Sequence, residues 1–104
     1  MKRPPARTPA DRDAALDALV DALLVLRSPA EMRTMLIDLC TPAELEAMAD
    51  RWQVVPLLLD GVPYREIHEL TGVSVTTVGR VARCLSHGAG GYQTVAGRLG
   101  RHRH

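Results

Sequence analysis

The hydroxyl and guanidinium side chains that could recognise a ligand are concentrated in one stretch, residues 64–85, which reads YREIHELTGVSVTTVGRVARCL. The pattern predicts two helices joined by a tight turn at Gly72, because glycine adopts the left-handed backbone conformation without strain. Ser74 is expected to cap the second helix by accepting a hydrogen bond from one of its first free N–H groups. The stretch is therefore predicted to be a helix-turn-helix over about residues 64–85.

The exposed face of the second predicted helix suits nucleic acid. Threonine and arginine side chains can hydrogen-bond to base edges and phosphates in the major groove of DNA. The residues predicted to contact double-stranded DNA are Arg65, Ser74, Val75, Thr76, Thr77, Gly79, Arg80 and Arg83. The apolar seam between the two helices is predicted to contain Ile67, Leu70, Val73, Val78 and Val81. An ordinary helical hairpin that contacts no DNA is the alternative interpretation.

Charged residues are unevenly distributed along the chain, although the formal net charge is only +1. Residues 70–104 contain five arginines and no Asp or Glu, whereas residues 11–69 contain five basic and twelve acidic side chains. The positive segment includes the second predicted helix. This asymmetry favours contact with phosphates. The net charge of the whole chain does not reveal it.

Length and composition indicate a single all-α domain. The 104 residues include no Phe, one Trp and two Tyr, so the core must be built mainly from Leu, Val, Ala and Met. Ser28-Pro-Ala-Glu31 and Thr41-Pro-Ala-Glu44 are both typical of capping boxes with proline at the first helical position. They predict a short helix after Ser28 and a third helix that ends near Leu59 and is kinked at Pro56. Apolar residues at helical spacing predict a preceding helix over residues 11–27.

The predicted organisation is a disordered basic arm over residues 1–10, a domain over residues 11–99 and a mobile tail over residues 100–104. Apolar stripes at helical spacing cover residues 16–26, 32–39 and 45–59. They exceed what so small a monomer can cover, which predicts a homodimer.

Metal binding, catalysis and membrane insertion are not favoured. Cys40, Cys84, His68 and His87 could in principle bind zinc, but no pair among them has the usual close ligand spacing. No nucleophile, carboxylate pair or glycine-rich phosphate loop indicates an enzyme or a bound cofactor. No leader or membrane-spanning run is visible, so we expect a cytoplasmic protein.

Residues 39–99 resemble the Trp repressor superfamily, and most closely its YerC/YecD-type branch. The residues that carry the resemblance read LCTPAELEAMADRWQVVPLLLDGVPYREIHELTGVSVTTVGRVARCLSHGAGGY. The threonine-proline cap, the Arg51-Trp52-Gln53 block, the glycine turn and the glycine-rich loop match in order. The resemblance implies a Trp repressor-like, interwound homodimer that binds a near-palindromic operator as a transcriptional repressor.

The resemblance also implies an amino-acid corepressor bound between subunits. The matching residues are Thr41, Arg51, Thr77, Arg80 and Cys84. Val81 stands where the family has a glycine beside the indole of tryptophan, and Asp38 and Cys40 replace leucines of the pocket. These changes favour a smaller or more polar amino acid, such as histidine, over tryptophan. In the alternative, Val81 fills the cavity and Arg51 pairs with Asp38.

A helical protein-interaction module that docks to a partner rather than to DNA is the competing function. Such a surface would present exposed Leu, Met or aromatic side chains, whereas the second helix carries threonines and arginines. His68 is expected to be a packed or edge-facing side chain, with a pH sensor or ligand contact as the alternative.

Overall fold

The computed structural model describes residues 6–100, and every regular element in that range is a helix. The helices are α1 (Pro9–Leu24), α2 (Pro29–Leu39), α3 (Pro42–Leu59), α4 (Tyr64–Thr71), α5 (Val75–His87) and α6 (Gly91–Gly100). They form two compact units, one that ends at Cys40 and one that begins at Thr41. The all-α prediction is confirmed.

Capping boxes start two of the helices. At α3 the Glu44 N–H donates to Thr41 Oγ1 at 3.1 Å, and the Thr41 N–H donates to the Glu44 carboxylate at 2.8 Å, as predicted. The same two bonds join Thr8 and Asp11 at the start of α1, at 3.1 and 2.9 Å. This box is a Thr-Pro-Ala-Asp version of the motif that the sequence analysis missed.

The Thr8 cap shortens the predicted N-terminal arm. Because α1 begins at Pro9, the expectation of an arm that extends to residue 10 is wrong at its end. Residues 1–5 of the predicted arm, and residues 101–104 of the predicted tail, lie outside the described residues.

The predicted capping box at Ser28 is only half formed. The Glu31 N–H donates to Ser28 Oγ at 3.1 Å, but the Glu31 carboxylate accepts from the Arg27 N–H at 2.7 Å instead of from Ser28. This shift occurs because α1 ends at Leu24 rather than at Arg27, which leaves the Arg27 N–H outside a helix and in need of an acceptor.

Helix α3 is continuous through Pro56 and ends at Leu59, as expected. It packs against α4, α5 and α6, and α4 packs against α5. The kink expected at Pro56 stays a prediction, since the helix is continuous on both sides of it.

The core of the second unit is small and rich in valine. Its buried side chains are Val54, Val55, Ile67, Val73, Val78 and Val81. Within the apolar stripe expected over residues 45–59, Met48 and Leu59 are 41% and 50% exposed. The buried face is centred on Val54 and Val55 instead, because these residues face α4 and α5.

The first unit has a different character, since neither α1 nor α2 contains a buried residue. Leu16, Leu24 and Ile37 are each more than half exposed. Large apolar side chains of these two helices are therefore uncovered in a single chain.

Candidate nucleic-acid interface

The turn between α4 and α5 is fixed by glycine and by short-range hydrogen bonds. Gly72 has a φ of 78°, the left-handed conformation predicted for it, and its N–H donates to the His68 carbonyl at 2.8 Å. The Thr71 hydroxyl donates to the Ile67 carbonyl at 2.7 Å and accepts from the Val73 N–H at 3.1 Å. The backbone groups freed at the turn are thus satisfied locally, which holds the two helices in one orientation.

His68 takes part in the same turn. Its ring atom Nδ1 lies 2.8 Å from the Val73 carbonyl oxygen. Because a carbonyl can only accept, Nδ1 carries the proton and donates. The side chain is exposed rather than packed, so it lies at the edge of the motif.

The seam between α4 and α5 contains four of its five predicted apolar residues. Ile67, Val73, Val78 and Val81 are buried, whereas Leu70 is 64% exposed, so its prediction is wrong. Residue 71 follows Ile67 by four positions and lies closer to the same helix face than residue 70 does. Thr71 therefore occupies the seam, and its hydroxyl is satisfied by the turn.

Helix α5 begins at the predicted cap. Ser74 Oγ accepts from the Thr77 N–H at 3.2 Å and donates to the Thr77 hydroxyl at 3.0 Å. The hydrogen bonds between Ser74 and Thr77 fix the start of the helix. The outward face of α5 is formed by the residues that follow.

The outward face of α5 forms an open depression of about 620 Å³ next to the start of α4. It brings together five of the predicted DNA contacts: Val75, Thr76, Gly79, Arg80 and Arg83. Ser74, Thr77 and Arg65 are not part of its lining, and Arg65 is exposed on α4.

Four residues that the sequence analysis missed complete the lining of the depression: Tyr64, Ala82, Ser86 and His87. Helical spacing from Gly79 and Arg83 could have indicated the last three, since residues three, four and seven positions apart share a face. Tyr64 comes from α4, and only the packing of the two helices brings it here.

The charge of the depression is of one sign. Its lining contains the guanidinium groups of Arg80 and Arg83 and no carboxylate. Both arginines are exposed. A concave surface with fixed cations and no competing anion attracts phosphate.

The residues matched to a corepressor site are spread over the second unit. Thr41 and Thr77 use their hydroxyls in helix caps, Arg51 is exposed on α3, and Arg80 lies in the α5 depression. Cys84 is exposed on α5 and lines a second, separate cleft. Neither of these two cavities brings all the matched residues together within one chain.

That second cleft, of about 470 Å³, lies beside the glycine-rich loop between α5 and α6. Trp52 and Tyr92 line it with their rings 6.5 Å apart and tilted by 44°. The Gln93 side-chain amide donates to the Leu85 carbonyl and ties the start of α6 to the end of α5.

Val81 occupies a different environment from the glycine that the family resemblance places there. It is 1% exposed and belongs to the valine core. Its isopropyl group is therefore packed within the core of the second unit.

Among residues 6–100, no group of three or more His, Cys, Asp or Glu side chains lies close enough together to hold a metal ion. In the same range, no helix combines the length and the apolar character that crossing a membrane requires.

The fold and the site define a helical domain that presents a helix-turn-helix with a cationic outer face. Residues 14–99 match the profile of the Trp repressor protein family. The chain is 35% identical over 88 residues to the uncharacterized protein YerC of Bacillus subtilis (strain 168), a match that covers 85% of each protein. The chain therefore belongs to the Trp repressor family, a family of DNA-binding regulators rather than of enzymes.

Solved structures agree with this assignment. A TrpR-like protein from Eubacterium eligens ATCC 27750 superposes with a TM-score of 0.79 at 36% identity, over 84% of this chain and 90% of that one. A candidate Trp repressor from Staphylococcus aureus superposes with a TM-score of 0.80 at 32% identity, over 90% of this chain and 96% of that one.

Proposed function

We propose that the protein is a cytoplasmic, sequence-specific transcriptional repressor that binds operator DNA as an interwound homodimer. The observation that carries the proposal is the α5 depression, in which Arg80 and Arg83 lie beside Thr76 with no carboxylate among the lining residues. A recognition helix in a major groove needs this combination of phosphate-binding and base-reading groups. The capped start of α5 and the Gly72 turn hold the helix in position.

Two arginines have distinct roles in this proposal. Arg65, exposed at the start of α4, contacts a guanine at the entry to the groove, whereas Arg83 contacts a phosphate. A bidentate arginine–guanine contact contributes about 1–3 kcal/mol of discrimination between bases. A phosphate contact contributes to binding of every sequence and adds about one to the salt slope.

Binding measurements on duplexes that wild type selects from a random DNA pool test the proposal. Arg65→Ala should reduce affinity for the selected duplex far more than for random DNA. Arg83→Ala should weaken both and lower the salt slope by about one. Arg98→Ala is the matched control, since Arg98 is an exposed arginine of α6 outside the depression.

Failure to enrich any duplex would overturn the proposal and favour the alternative, a helical module that docks to a protein partner. Equal losses on selected and random DNA for both variants would refute the separate roles of Arg65 and Arg83.

The proposal includes an amino-acid corepressor, with Thr41, Arg51, Thr77, Arg80 and Cys84 as its contacts. The exposed guanidinium groups of Arg51 and Arg80 support it, because arginine is well suited to bind a carboxylate. The burial of Val81 favours histidine over tryptophan, because its isopropyl group takes the space that a glycine would leave for an indole ring.

A further inference from the structure

One part of the α5 depression is apolar, although the surface around it is cationic. Tyr64 is 45% exposed and Val75 is 48% exposed, and both line the depression together with the backbone of Gly79. On a helix face that carries Arg80 and Arg83, the ring of Tyr64 and the isopropyl group of Val75 offer apolar surface that does not bind phosphate. An apolar group of a ligand that also contacts Arg80 and Arg83 would cover this surface.

The ring of Tyr64 on α4 lies beside Gly79 of α5. A Cβ added at Gly79 would lie 3.9 Å from Cε2 of Tyr64, which is ordinary van der Waals contact. The absence of a side chain at residue 79 therefore leaves the Tyr64 ring accessible beside the helix that reads DNA. The ring and the Val75 side chain then form the two walls of a shallow apolar notch.

We propose that Tyr64, Val75 and Gly79 form a subsite for the 5-methyl group of a thymine, which makes Tyr64 a specificity-determining residue. In the major groove, the thymine methyl is an apolar group that protein side chains recognise directly. Arg80 and Arg83 flank the notch and hold the negatively charged backbone of the same DNA. The inference rests on the proposed function, because it assigns the sequence preference of that same surface.

Replacement of each thymine of a wild-type-selected duplex by uracil, which removes only the methyl group, tests the subsite. At one position in each half-site, the replacement should lower wild-type affinity about four-fold, the effect of burying one methyl group. In Tyr64→Ala the same replacement should have no effect, because the wall that contacts the methyl is gone. Tyr64→Phe should retain the four-fold uracil effect, since the ring that contacts the methyl is retained.

Gly79→Ala provides a variant whose fold is preserved, because an alanine Cβ at this position meets only ordinary contacts. The added methyl occupies the notch, so the effect of uracil should disappear in this variant too. Binding of the selected duplex with a normal salt slope, but with no uracil effect at any position in wild type, would overturn the inference and leave the proposed function intact. An equal loss for Tyr64→Phe on all duplexes would also overturn it, since it would assign the tyrosine hydroxyl to a phosphate.

Discussion

At the scale of single residues, Val81 and Arg51 bear in opposite ways on the proposed corepressor. A glycine at this position leaves room for a ligand, whereas Val81 is 1% exposed within a core of six buried side chains. Arg51 retains an exposed guanidinium group on α3. Val81 takes up space that a ligand would need, whereas Arg51 keeps a guanidinium group that can bind the carboxylate of an amino acid. The two residues therefore favour opposite outcomes for corepressor binding.

Calorimetric titration with histidine and with tryptophan distinguishes these outcomes. We expect histidine to bind the wild-type protein more tightly than tryptophan, and Arg51→Ala to weaken it by about 1.5–3 kcal/mol, the contribution of a hydrogen bond to a charged group. Arg33→Ala, which changes an exposed arginine of α2, should leave the titration unchanged. If neither amino acid binds and Arg51→Ala still represses, the protein binds DNA without a corepressor.

At the scale of the helices, the capping boxes make stability depend on pH. The Thr41 N–H donates to the Glu44 carboxylate, and this bond lowers the pKa of Glu44 in the folded protein. The pKa of Asp11 is lowered in the same way, chiefly by the Thr8 N–H. Because both folded-state pKa values lie below the unfolded ones, the stabilisation is fully present above the unfolded values.

Acidification should therefore lower the melting temperature as the pH falls through the folded-state pKa of Glu44. Glu44→Gln keeps an acceptor for the Thr41 N–H but cannot titrate, so it should flatten this part of the pH profile. Glu46→Gln is the matched control, because Glu46 lies in the same helix outside the capping box. Thermal melts followed by circular dichroism measure the effect, and an unchanged profile for Glu44→Gln would contradict the assignment.

Two glycines of the α5 segment should respond oppositely to alanine. Gly79 is helical and has space for a Cβ, so Gly79→Ala should raise the free energy of unfolding by about 0.5–1 kcal/mol through helix propensity. At Gly88 an added Cβ would clash with the Cys84 carbonyl, which accepts the Gly88 N–H that caps the helix.

Gly88→Ala should therefore lower the free energy of unfolding by about 1 kcal/mol or more, because the backbone must shift. Denaturant titration of both variants beside wild type checks the pair. Equal effects of the same sign would contradict the prediction that alanine stabilises the protein at residue 79 and destabilises it at residue 88.

At the scale of the whole molecule, the N-terminal unit is the part of the chain whose large apolar side chains are exposed to solvent. No residue of α1 or α2 is buried, and Leu24 and Val25 are 75% and 73% exposed. Exposed apolar surface on this scale marks an interface. A second copy of the chain is the partner that the family membership favours.

Light scattering should therefore give about twice the 11.4 kDa mass of the chain at micromolar concentration. Leu24→Glu places a charge in the uncovered surface and should shift the protein toward monomer, whereas Asp17→Glu, a conservative change at an exposed position, should not. A folded, stable wild-type monomer at the same concentration would contradict the prediction.

The sequence by itself determined the features that depend on residues close together in the chain. The Thr41–Glu44 capping box, the left-handed Gly72 and the Ser74 cap were all predicted, and the structure confirms each of them. Hydrogen bonds between residues three or four positions apart follow from residue type and spacing alone. The Thr8–Asp11 box obeys the same rule, and the sequence contained the signal for it.

Tertiary structure alone decided which side chains meet across helices. The burial of Val54, the exposure of Leu70 and the position of Tyr64 beside Gly79 depend on how α3, α4 and α5 cross. A helical stripe about 100° wide or more admits several such crossings, and packing of the actual side-chain volumes selects one. For this reason the sequence indicated the arginines and threonines of α5, whereas the apolar notch beside them required the folded chain.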